Sequence, residues 1–142
     1  MIDLRSDTLT RPTQAMFDRM MNLDLGDETL FGDPTVKKLE EKAAAMTGKE
    51  AALFVASGTM GNLAAVLTHR AGRLEVLADE SSHVACTEFG GMSVLAGLFC
   101  VRIPSRKGEM DLDKLRAAAA ASCAQNRVPP ALIAVETTHN HS

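Results

Sequence analysis

Three short stretches concentrate residue types that do chemistry. Residues 57–62 read SGTMGN, where an apolar run stops at Ser57 and a helical pattern begins. The free N–H groups and positive dipole end of a starting helix favour an anion, and small residues let the backbone come close to it. Thr59 adds a hydroxyl donor. The glycines, at 58 and 61, match neither G-x-G-x-x-G nor a P-loop. Two readings stand: a phosphate cradle formed by Ser57, Gly58 and Thr59, or a plain strand-to-helix turn in which Gly58 supplies a positive φ. DESSHV at 79–84 puts His83 just past an apolar strand, at the same sheet edge as Gly58. Imidazole exchanges protons near neutral pH, so His83 reads as an acid–base group or as a capped loop residue. VETTHN at 135–140 brings Glu136, and Glu88 follows Ser82 by six residues. Glu88 reads equally as an ordinary helix-face charge. In RSDT at 5–8, Arg5, Ser6 or the amides would hold an anionic group, or the segment is a solvated arm.

The elements that must carry these residues follow from periodicity and capping. Met16, Phe17, Met20 and Met21 sit at helical spacing. Asp33-Pro34 predicts a helix start and Gly48 its end, with Val36, Leu39, Ala43 and Met46 as its apolar stripe. Residues 52–56 predict a short buried strand, 60–69 a helix, and 74–78 a second strand ending at Asp79. The Gly90-Gly91 pair divides a short helix from a third strand near 98–103. Asp111 caps an alanine-rich helix, and 131–136 predicts a fourth strand after Pro129-Pro130. Short continuous apolar strands alternating with helices predict an α/β fold with a mostly parallel sheet covered by helices. Ligands of such sheets bind outside the carboxyl ends of the strands. The last expected strand has no helix after it, so the sheet reads as the front part of a longer domain.

Composition bounds the function. The chain has 142 residues, 46% of them hydrophobic, with a net charge of −3 and no basic patch for nucleic acid. No apolar stretch is long enough for a bilayer span, and no signal peptide is expected. Cys86, Cys100 and Cys123 are odd in number and widely spaced, which argues against a disulfide framework or zinc site and for a reducing, cytoplasmic setting. His139 and His141 make a weak ligand pair, and no metal site is expected. Lys37, Lys38, Lys42, Lys49, Lys107 and Lys114 read as solvated surface charges.

The motifs MIDLRSDTLTRPT, GDPTVKKLEEKAA, ASGTMGN, DESSHV, EFGG and VETTHN occur in one order over essentially the whole chain. Together they resemble the N-terminal part of low-specificity threonine aldolases, pyridoxal-phosphate enzymes within the β-eliminating lyase and threonine aldolase group. The resemblance implies the large domain of fold type I, the aspartate-aminotransferase-like fold. Residues 1–30 would be an arm and helix, and 31–142 an incomplete cofactor-binding part. It implies cleavage of L-threonine or L-allo-threonine to glycine and an aldehyde. By the same resemblance, Ser57, Gly58 and Thr59 hold the phosphate of pyridoxal 5'-phosphate. His83 stacks on the ring and is a candidate for proton transfer, and Ser6 helps bind the substrate carboxylate. Glu88 and Glu136 are supporting carboxylates. The Schiff-base lysine is expected outside this chain. Phe31 stands where the family commonly has Tyr, which removes a phenolic hydroxyl. The resemblance also implies a homo-oligomer, dimer or tetramer, to which the methionine-rich first helix would contribute as an interface or simply as core. A related β-eliminating lyase and a truncated, non-catalytic remnant are the alternative readings.

Overall fold

The structure is a computed structural model that describes residues 2–3, 5–124 and 129–141. It divides into two compact units, Met1–Phe54 and Val55–Ser142.

The first unit is built by local signals. After a 3-10 turn at Asp7–Leu9 comes α1, Gln14–Met20, whose first turn is capped by the Thr13 hydroxyl. The second helix, α2, spans Pro34–Thr47. Asp33 Oδ1 accepts from the amides of Thr35 and Val36 at 2.8 and 3.0 Å, satisfying donors that a helix start leaves open. Asp33 Oδ2 takes the Gly26 amide and ties the preceding loop to the same cap. These bonds hold the Asp33 carboxyl below its ordinary range. Gly48 closes the helix in the left-handed conformation, φ 64°, which a Cβ would disfavour. Only Ala44 is buried among the described residues of this unit. The expected stripe on α2 stands largely open, with Leu39 and Met46 50% and 77% exposed.

The second unit contains the core. Helix α3, Gly58–His69, precedes β1, Glu75–Asp79. Two short helices, α4 at His83–Cys86 and α5 at Gly91–Val94, lead to β2, Phe99–Ile103. A small hairpin follows, β3 at Ser105–Arg106 and β4 at Glu109–Met110, then α6, Leu112–Ala124, and β5, Leu132–Ala134. The order β2-β1-β5 makes β1 central, parallel to both neighbours, with Val76 opposite Cys100 and Leu132. All five β1 residues are buried, as a strand covered on both faces requires. Val76 joins Val66, Met92, Ala96 and Leu98 in the main cluster.

Two expectations need correction. Residues 52–56 form no strand, and Leu53 and Phe54 are exposed. A strand exists only with a partner, and the described residues offer this segment none. Gly58 is not a positive-φ residue; it is the first residue of α3. The hairpin was not foreseen because its strands are two residues long. Its turn, Lys107-Gly108, has φ of 53° and 77°, the positive pair that tight hairpins need.

Candidate active site

The turn after β1 shows how the chain aims His83. Asp79 Oδ1 accepts from the Ser81 amide and hydroxyl at 2.6 and 2.8 Å, while the Ser82 hydroxyl donates to the Asp79 carbonyl at 2.8 Å. An aspartate that bonds its own backbone two residues on makes a tight turn. The turn delivers His83 to the first position of α4.

Three predicted residues come together, His83 with Glu88 and Glu136. The His83 Nδ1 lies 2.8 Å from Glu88 Oε1. A carboxylate can only accept, so Nδ1 donates, and in the neutral ring Nε2 keeps its lone pair. Glu88 is buried while the His83 ring is about one-third exposed. The pair thus has a dry carboxylate behind and an accessible ring in front. Asn62 Nδ2 donates to the same Glu88 oxygen at 2.6 Å. On the other side, Glu136 Oε2 accepts the His83 backbone N–H at 2.5 Å, and its Oε1 accepts from the Asn140 amide at 2.8 Å. Burial alone would push the Glu136 carboxyl up. The two amides, with the nearby His139 and His83 rings, outweigh burial and hold it below the ordinary carboxylate range.

Glu88 reaches inward because the chain reverses behind it. Phe89 and Gly90 are both left-handed, φ 52° and 72°, so Glu88 is buried while Phe89 stays exposed. Holding a bulky residue there costs on the order of 1–2 kcal/mol. Asn62 was not singled out by sequence reasoning. Its signal was present, since it closes the SGTMGN stretch and sits one helical turn beyond Thr59.

Asn62 also links His83 to the start of α3. The Ser57 hydroxyl accepts from the Met60 amide at 3.1 Å and caps the helix. Ser57, Gly58 and Thr59 are exposed, and a Cβ built on Gly58 meets nothing within 4 Å. An open helix start of twelve residues with small side chains suits an anion. Thr59, Asn62 and Glu88 share the wall of a cavity of about 330 Å³, whose floor is apolar through Val66, Met92 and Leu95.

Ser6 and Arg5 belong to the first unit. Ser6 Oγ lies 2.9 Å from Thr8 Oγ1, and the Arg5 guanidinium pairs with Asp3 at 2.6 Å. The described residues contain no cluster of three or more metal-ligating side chains and no helix long and apolar enough to cross a membrane. Cys86 and Cys100 are free thiols, and burial pushes the Cys100 thiol up. The Cys123 side chain lies outside the described set.

Three parallel strands with flanking helices, and a carboxylate-held imidazole just past the end of β1, define an α/β domain. A crystal structure assigned as an L-allo-threonine aldolase from Listeria monocytogenes superposes with a TM-score of 0.62 at 21% identity, over 87% of this chain and 33% of that one. The fold is therefore that of fold type I, a parallel sheet flanked by helices. The sequence profile of the family described as Beta-eliminating lyase matches residues 3–142, and the chain belongs to that family. Low-specificity L-threonine aldolase 1 of Arabidopsis thaliana is 44% identical over 144 residues, 99% of this chain. Low specificity L-threonine aldolase of Escherichia coli (strain K12) is 42% identical over 116 residues, 81% of this chain. The chain spans 40% and 35% of the length of these two relatives.

Proposed function

We propose that the intact protein is a pyridoxal-5'-phosphate-dependent aldehyde-lyase that cleaves L-threonine or L-allo-threonine to glycine and acetaldehyde. The observation that carries this reading is the Asn62–Glu88–His83 chain, joined through Asn62 to the helix start at Ser57–Thr59. Relatives named as threonine aldolases, matched over nearly the whole chain, support it. The cofactor fits the residues present. Its phosphate would lie on the open amides of Gly58 and Thr59 and the Thr59 hydroxyl, and its ring against His83. When bound, it supplies the electron sink for breaking a bond at the substrate Cα.

The chain's own residues do the rest. Glu88 keeps the Nδ1 proton in place and leaves Nε2 to accept the β-hydroxyl proton, directly or through one water. That proton leaves as Cα–Cβ breaks, the β-carbon departs as an aldehyde, and Cα is reprotonated to give glycine. Glu88 also favours the imidazolium formed in the step, because a buried carboxylate beside it is poorly screened. The Ser6 hydroxyl serves the substrate carboxylate. The Schiff-base lysine is supplied outside these 142 residues. The protein acts as a homo-oligomer, dimer or tetramer, in the cytoplasm.

Incubating the intact, cofactor-loaded protein with L-threonine tests the reaction class. Equal amounts of glycine and acetaldehyde are expected. Ammonia and 2-oxobutanoate, the products of β-elimination, would contradict the reading.

A further inference from the structure

A second histidine, away from the proposed chemistry, is buried more deeply than the first. The His139 side chain is 7% exposed. Its Nε2 lies 3.4 Å from Ser81 Oγ and 3.6 Å from Asp79 Oδ1, at the buried end of β1. Its Nδ1 faces the His141 backbone N–H at 3.3 Å. Nδ1 therefore accepts, and Nε2 carries the proton toward Ser81 and Asp79. Burial would push the Asp79 carboxyl up; the Ser105 hydroxyl, the bonds from Ser81 and the nearby His139 ring outweigh it and hold the group below its ordinary range. The His139 ring also fills the space above Gly108. A Cβ there would come within 2.7 Å of Cγ and 3.0 Å of Cδ2. The imidazole is wedged between the end of β1 and the turn of the β3–β4 hairpin.

What this wedge carries is the neighbouring backbone. Asn140 follows His139 directly, and its amide holds one oxygen of Glu136 while the other takes the His83 amide. A glutamate on a loop loses rotamer freedom when both oxygens are engaged, and that loss is offset only if the donors are already fixed. Fixing His139 fixes Asn140. Fixing Asn140 leaves Glu136 one orientation, in which it meets the start of α4.

We infer that His139 is a positioning residue: wedged on Asp79 and Gly108, it clamps the 136–140 segment so that Glu136 holds His83 in place. The clamp is a matter of geometry; its value to catalysis rests on the reading of His83 as the proton-transfer group.

The test uses the intact, cofactor-loaded protein and two separate variants, His139→Gln and Asp79→Asn, the second keeping side-chain size. Amide hydrogen exchange is read residue by residue. Exchange at His83 and Asn140 is expected to quicken about tenfold or more, with the amides of β1 and β2 unchanged. The kcat for threonine cleavage is expected to fall while KM holds. Uniform quickening across the sheet, no change at His83, or failure of both variants to fold would overturn the clamp and make His139 a plain core residue. Quickened exchange at His83 with unchanged kcat would uphold the clamp and instead contradict the role given to His83.

Discussion

The two units reach order by different means. In Met1–Phe54, order is local: Asp33, Pro34 and Gly48 fix both ends of α2 within the sequence that forms it, and Ala44 is the one buried residue described. In Val55–Ser142, order is long-range: β1 is buried along its whole length and joins strands about 24 and 56 residues further on. The residues proposed for chemistry that the structure brings together all lie in the second unit. Local caps settle where a helix begins. Placing an imidazole against a carboxylate requires packing that leaves little room for adjustment.

The contrast is sharpest in core truncation. Leu77→Ala, at a fully buried position of β1, is expected to cost about 2–5 kcal/mol in denaturant unfolding of the intact protein. A cost below about 1 kcal/mol would mean the second unit is not organised around this strand. A pH titration probes the same unit more gently. Because the folded Glu136 carboxyl is held below its ordinary value, its contribution is present above the unfolded pKa and is lost as pH falls through the folded one. Glu136→Gln should therefore flatten the loss of stability on the acid side of about pH 4.5 and leave its slope near neutrality alone. An unchanged acid limb would remove Glu136 as an anchor. The smallest effect belongs to the first unit. Leu39→Ala, at a half-exposed position of α2, should shift stability by no more than about 0.5 kcal/mol. A cost comparable to that of Leu77→Ala would erase the distinction between the units.

What the sequence disclosed follows the same division. The bounds of α2 were legible because Asp33-Pro34 and Gly48 act through bonds to residues two to four positions away. The EVLAD run of β1 was legible because a strand buried on both faces is continuously apolar in its middle. The assignment of residues 52–56 failed because the apolar signal of a strand says nothing about whether a partner is present. At the site, His83 and Glu136 were visible as polar residues near strand ends, and Glu88 as a charge on a short helix. Their convergence was not, since it depends on the left-handed reversal at Phe89-Gly90 and on a 53-residue separation closed by β5. Asn62 and the Asp79–His139 wedge were missed for the same reason.

The central claim is that Glu88 holds His83 with the proton on Nδ1 so that Nε2 can act. Its most direct test is the kcat for L-threonine cleavage by intact protein carrying Glu88→Gln, with His83→Asn alone and both together. Misplacing the imidazole is expected to lower kcat about 100-fold with Glu88→Gln. His83→Asn should fall at least as far, and the double variant no further, because both changes remove one unit. Unchanged kcat in Glu88→Gln, or losses that multiply in the double variant, would contradict the claim.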